Sequence, residues 1–150
     1  MLSQNTFGAF LSASFFIPVR IARMTNLSKA LAPRSWRSEE THNLYAADRA
    51  LNVSSDKCPL CTAESVKEYI HWRIIPNKYP YDATTSTHRM IVPKEHVVET
   101  GVSLEALQEL KSLKMTDLND EYAFIMEVLP KNKSIPGHFH LHLLVPKVCD

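Results

Sequence analysis

The sequence predicts an α+β fold, a mainly antiparallel sheet with one principal helix packed on it. Apolar residues fall in short β-rich runs ended by proline, at 69–75, 89–92, 122–129 and 139–145. Between the second and third runs lies one helical segment. Ser103 caps it, Leu104, Leu107, Leu110 and Leu113 recur at three-residue spacing, and Glu105 and Glu109 lie near its positive end. Strands therefore outnumber helices around a single sheet. A chain of 150 residues holds one such domain with an appendage, not two ordinary domains.

The appendage precedes the sheet. Residues 1–38 carry five basic residues, six serines and no acidic residue, whereas residues 58–150 carry ten basic and twelve acidic ones. The boundary is drawn accordingly: an N-terminal extension over 1–57 and the sheet domain over 58–150. The apolar stretch 7–19 contains Gly8, Ser12, Ser14 and Pro18 and falls short of the roughly 20 residues of a membrane span. An Arg- and Ser-rich, acid-free leader fits an organellar transit peptide; an upstream start with Met24 opening the protein, or a helix packed on the body, are the other readings. Ser38 is expected to cap a helix over 39–51, with Leu44, Ala47 and Leu51 on one face, followed by a polar linker over 52–57.

Composition excludes several function classes. A net charge of +1 supplies no field that would draw nucleic acid or an anionic membrane, so nucleic acid is an unexpected partner and small ligands are favoured. The glycines Gly8, Gly101 and Gly137 permit no phosphate-cradling glycine loop, no dinucleotide fingerprint and no nucleophile elbow. Cys58, Cys61 and Cys149 make no disulfide framework, which favours a reducing intracellular compartment, cytoplasmic or organellar. Trp36 and Trp72 are expected to pack rather than to stack on a base.

Chemistry concentrates in His138-Phe139-His140-Leu141-His142. In an extended chain alternate side chains share a face, so the three imidazoles line one side while Phe139, Leu141 and Leu143 enter the core. At about 3.3 Å per residue, His138 and His142 stand roughly 13 Å apart. Two nitrogens bound to one ion lie within about 4 Å. The row is therefore expected to divide its work between a metal and a substrate. Cys58-Pro59-Leu60-Cys61 is a C-x-x-C knuckle suited to zinc; a redox pair is disfavoured because the motif precedes the sheet, and two unremarkable cysteines are the plain alternative.

Four motifs together resemble the histidine triad superfamily. The run from His138 to Leu144 resembles its His-x-His-x-His-x-x signature, and Asn77-Lys78-Tyr79-Pro80 with His88 to Val97 resembles its N-x-x-P and H-x-x-x-x-P-K-x-H segments. With the C-x-x-C in front, the similarity is greatest to the zinc-containing bacterial-type branch and more distant to galactose-1-phosphate uridylyltransferases. It covers about residues 58–147.

The resemblance implies a histidine triad fold, a homodimer, and nucleotidyl transfer or hydrolysis at a nucleotide α-phosphate. His140 corresponds to the nucleophile that forms a nucleotidyl-histidine, its other ring nitrogen held by a backbone carbonyl. His142 and His88 correspond to flanking phosphate-contacting histidines, and Asn77 to a ribose-contacting residue. Cys58, Cys61, His96 and His138 correspond to the ligands of a structural zinc; no catalytic divalent ion is required. The departure is Lys131-Asn132-Lys133-Ser134-Ile135-Pro136-Gly137, which lacks the family's Gly-Gln-Ser/Thr turn. Ser134 is the expected leaving-group residue and Lys133 an expected phosphate cation, while no pocket arginine is evident. The altered turn motivates the alternative of a catalytically silent, zinc-stabilised adaptor binding nucleotide or protein.

Overall fold

The structure, a computed structural model, describes residues 36–51 and 57–148. The leader reading therefore falls outside the described residues except at Trp36, Arg37 and Ser38, as do Cys149 and most of the polar linker. In chain order come helices α1 (Glu39–Leu51) and α2 (Pro59–Thr62), and strands β1 (Lys67–Glu68), β2 (Trp72–Pro76) and β3 (Thr85–Pro93). Helices α3 (Leu104–Met115) and α4 (Asp117–Glu121) follow, then β4 (Phe124–Met126) and β5 (Leu141–Pro146). All neighbouring strands are antiparallel, in the order β1-β2-β3-β5-β4. The α+β class with a mainly antiparallel sheet is thus present. No helix among the described residues is long and apolar enough to cross a membrane.

The expected runs differ from the strands where the ladder gives out. The run at 69–75 is broken by a tight turn, with Tyr69 N–H donating to Trp72 O at 2.8 Å and Glu109 accepting the Ile70 and His71 N–H groups at 2.9 and 2.7 Å. Glu109 thus ties the helix to the turn rather than serving the positive end of α3. The run at 122–129 shrinks because Tyr122 closes α4 and is buried, its hydroxyl accepting from Arg89 Nη1 at 3.1 Å. Phe139 and His140 precede β5: Ile91↔Leu141 is the last β3–β5 pair, and Phe139 N–H donates instead to Val97 O at 2.7 Å.

Ser103 caps α3 as expected, its side chain accepting from Ala106 N–H at 3.2 Å. The buried stripe is Ala106, Leu110 and Leu113, while Leu104 and Leu107 are exposed. Three-residue spacing drifts around a helix of 3.6 residues per turn, so two of the four leucines leave the core face. A second helix, α4, contributes the buried Leu118.

Alternation sorts the sheet. Trp72, Ile74, Ile91, Phe139, Leu141 and Leu143 pack against α3 and α4, and Trp72 Nε1–H donates to Ala106 O at 2.7 Å. Trp72 is therefore a core residue, while Trp36 is half exposed and meets Tyr81 edge-on. The opposite face carries His88, His140 and His142, together with a second apolar cluster of Leu60, Ile75, Met90 and Val92. The histidine face is accordingly part apolar.

Helix α1 buries none of its residues, so its expected apolar face is open at Leu44 and Leu51. It is held by polar contacts to the β2–β3 connection. Ser38 caps it, accepting from Thr41 N–H at 3.2 Å, and Asp82 accepts from Ser38 N–H, Ser38 Oγ and Thr41 Oγ1 at 2.8, 2.6 and 2.8 Å. These bonds, the Ser38 hydroxyl first, pull the Asp82 carboxyl down to about 2.

Because Leu143 is fully buried at the centre of the larger cluster, Leu143→Ala is expected to cost about 2–5 kcal/mol in urea unfolding. Leu107→Ala, on the exposed side of α3, is expected to stay within about 0.5 kcal/mol.

Candidate functional site

Two clusters of side chains meet at the start of β5. The first joins Cys58 and Cys61 with His96 and His138, whose ligand atoms all lie within 4.8 Å of one another. Cys58 Sγ and Cys61 Sγ each lie 3.4 Å from His138 Nδ1, and Cys61 Sγ lies 3.2 Å from His96 Nδ1. A tetrahedral ion with bonds of about 2.1–2.3 Å holds its donors roughly 3.4–3.8 Å apart, so the spacing suits one metal. The tautomer fits too. His138 Nε2–H donates to Pro93 O at 3.1 Å, which leaves the Nδ1 lone pair toward the thiols, as metal-ligating histidines are commonly held.

Arg73 secures the knuckle. It alternates with Trp72 and Ile74 on β2 and so faces the C-x-x-C segment, where its guanidinium donates to Leu60 O and, at 3.1 Å, to Ala63 O. The Cys58–Cys61 turn is thereby fixed to the sheet at the backbone as well as through its side chains. A charged residue within an otherwise apolar strand was the sequence signal for this role, and the motif reading did not use it.

The second cluster is His140, His142 and His88, all nearly buried. His140 Nδ1–H donates to the His138 carbonyl at 2.8 Å, the carbonyl bond expected of it, and Nε2 keeps its lone pair. Tyr81 N–H donates to His88 Nδ1 at 2.8 Å, so neutral His88 carries its proton on Nε2. That Nε2–H donates to His142 Nδ1 at 2.7 Å. His142 is left with its own proton on Nε2. Asn77 packs alongside: its Oδ1 accepts from Tyr79 N–H at 2.9 Å and its amide nitrogen lies 3.0 Å from His88 Nε2.

Burial holds these imidazoles neutral. Desolvation, with the neighbouring His88, His140 and Arg37 charges behind it, pushes His142 down to about 3, and desolvation with Arg37 pushes His88 down to about 4. His140 is also lowered, by burial first; the His138 carbonyl and Glu127 oppose this and Lys133 reinforces it.

The loop before the row is arranged differently from the sequence expectation. Lys133 is almost covered, pairs with Glu127 at 2.8 Å and lies 5.5 Å from the Phe139 ring. It is a neutralised cation beside His140. Ser134 is exposed on the segment leading to His138. Three further residues enter the neighbourhood unannounced by motif: Glu127, Tyr81 and Arg37. Tyr81 stacks on His142 at 5.7 Å and lies 4.2 Å from the His88 ring, and the Arg37 guanidinium sits 4.9 Å above the Tyr81 ring. An arginine thus stands beside the histidines although no motif offers one. A depression of about 100 Å³ opens elsewhere, lined by Ile70, His71, Pro93, Lys94, Val102 and Ser103, and carries none of these histidines.

Comparison with protein-family models finds no match to the chain, and comparison with curated proteins finds none.

The buried neutral histidines make stability fall with acid in a defined window. Unfolded, His88 and His142 take up protons below about 6.5; folded, they do so only near about 4 and about 3. The unfolded state binds more protons in between, so stability is present above pH 6.5 and lost as pH falls. Each proton contributes a slope of about 1.4 kcal/mol per pH unit. His142→Asn is expected to reduce the slope between pH 6 and 4 by about one proton, read from urea unfolding; the Asp82 contribution, lost as pH falls from about 5 toward 2, is common to both proteins.

Proposed function

We propose that the chain is a histidine-triad-type nucleotide phosphohydrolase or nucleotidyltransferase, acting at a nucleotide α-phosphate and stabilised by a structural zinc. One observation carries this reading. Among the described residues, His140 Nε2 offers an acceptor lone pair and His142 Nε2–H a donor, on adjacent rings whose centroids are 5.4 Å apart. A nucleophile beside a donor is what displacement at phosphorus needs, and burial strengthens both.

His140 attacks through Nε2, forming a P–N bond as the bond to the leaving group breaks with its electron pair. The proton stays on His140 Nδ1, hydrogen-bonded to the His138 carbonyl, which stabilises the charge that develops on the ring. His142 Nε2–H donates to a phosphoryl oxygen, and the leaving group takes its proton from water. Water or another acceptor then attacks phosphorus, the P–N bond breaks, and the acceptor's proton passes to solvent. Asn77 lies beside His88 for contact with the sugar, and Lys133, its charge paired with Glu127, borders His140.

Zinc is the ion favoured by two thiolates and two imidazoles gathered within 4.8 Å of one another. Held by Cys58, Cys61, His96 and His138, it supplies folding free energy and leaves the substrate to the remaining histidines. The chain is expected to carry about one zinc per molecule, and Cys58→Ser to lower both zinc content and melting temperature. Full-strength stability without metal would remove the zinc from this reading.

His140→Asn is expected to keep nucleotide binding and to reduce turnover of nucleoside phosphoramidates and dinucleoside polyphosphates by roughly 10³-fold or more. Intact-mass measurement of wild type should trap a nucleotidyl adduct that the variant lacks. Nucleotide binding with turnover no higher than that of His140→Asn would favour the adaptor, a reading to which the exposed Ser134 lends support.

A further inference from the structure

The segment before α1 reaches the histidine pair through one aromatic ring. Arg37 Nε–H donates to Tyr79 O at 3.0 Å, and its guanidinium carbon lies 4.3 Å from the Tyr45 ring centre and 4.9 Å from that of Tyr81. The guanidinium is therefore gripped by a carbonyl and two rings. Tyr81 in turn lies against both imidazoles, at 4.2 Å from His88 with planes 38° apart and at 5.7 Å from His142 with planes 19° apart. Trp36 meets the same ring at 5.2 Å and 77°, and Ala83 N–H donates to Trp36 O at 3.1 Å. The backbone N–H of Tyr81 is also the donor that fixes the His88 tautomer. One residue thus both packs on the pair and donates to His88 Nδ1, while the Asn77 amide nitrogen lies 3.0 Å from His88 Nε2.

We propose that Arg37 and Tyr81 are positioning residues of the histidine site, Arg37 holding the Tyr81 ring against His88 and His142 so that His142 presents its Nε2–H. The physical chain is short. If the ring loses its place, the Tyr81 backbone turns and its N–H leaves His88 Nδ1. His88 is then free to exchange tautomers, and the bond to His142 Nδ1 no longer has a fixed direction. The cation adds a second effect, disfavouring charge on the rings across from it; His140 and the two imidazoles themselves are the other groups acting on the pair. The stack also explains why residues 36–41 are clamped to Asp82 by three hydrogen bonds while α1 buries nothing. The clamp serves the turn, not a core.

This inference deepens the reading of the histidines as a phosphoryl-transfer site, and its readout is independent of turnover. Long-range proton–nitrogen NMR of the full chain distinguishes the two neutral imidazole tautomers and follows protonation with pH. Wild type and Tyr81→Phe, which keeps the ring, are expected to show one His142 tautomer, protonated on Nε2, down to pH 5. Tyr81→Leu is expected to show both tautomers and a His142 titration midpoint raised by at least one pH unit. Arg37→Gln, which keeps a polar side chain without the cation, is expected to raise the His88 and His142 midpoints by a smaller amount. A folded Tyr81→Leu variant with the wild-type tautomer and midpoint overturns the proposal. Should that variant not fold, Arg37→Gln decides alone, since unchanged midpoints and tautomer would reduce the stack to packing. A chain that passes these tests yet turns over no nucleotide would fail only the enzymatic reading.

Discussion

A buried neutral imidazole has one donor and one acceptor to satisfy, and four such rings lie within a few residues of the β3–β5 ladder. No ring can be solved alone. The backbone supplies fixed partners at three points: Pro93 O for His138, His138 O for His140 and Tyr81 N–H for His88. Once these are set the remaining ring atoms follow, with the Asn77 amide nitrogen, 3.0 Å from His88 Nε2, standing outside the scheme. His138 Nδ1 is left for the thiols, His88 Nε2–H goes to His142 Nδ1, and His140 Nε2 and His142 Nε2–H are left over. The chemistry of the site is the remainder of this accounting.

The parts of that solution written along a single strand were legible. Alternation in 138–142 predicts which side chains enter the core, and Phe139, Leu141 and Leu143 do so. The length of the same row forbids one ion from taking both ends, and the structure divides it between the cysteine pair and His88. The caps at Ser38 and Ser103 were readable because a short hydroxyl side chain before acidic first-turn residues has few other uses. The grouping of Cys58 and Cys61 with His96 and His138 was anticipated from the motif resemblance rather than from periodicity.

What escaped was set by contacts between distant segments. Arg37 sits in a basic stretch whose composition points away from the domain, and it is brought to the Tyr81 ring beside the histidines by its own bond to Tyr79 O and by the Asp82 clamp on Ser38, 44 residues away. Glu127 falls just past β4, where it meets Lys133 across the loop before the histidine row; neither residue has a local pattern that announces the pair. The break at Ile70 and His71 likewise depends on Glu109 from another element. In each case a polar side chain satisfies backbone or charge from a segment far along the chain, and hydrophobic periodicity carries no record of that.

His138 joins the two clusters through two parts of one residue. Its ring faces Cys58 and Cys61, while its carbonyl accepts from His140 Nδ1–H. The ring is held at the thiols and by the Pro93 carbonyl, while the following peptide is held separately by the bond from Phe139 N–H to Val97 O. That peptide aims the carbonyl, and the carbonyl selects both the tautomer and the rotation of the His140 imidazole. Alternation puts the rings of residues two apart on one face, which is why the bond runs from His140 to His138 and not to Phe139. The cysteine–histidine cluster therefore touches the neighbouring site at one hydrogen bond, from His140 Nδ1–H to the His138 carbonyl, and that bond leaves the lone pair on His140 Nε2.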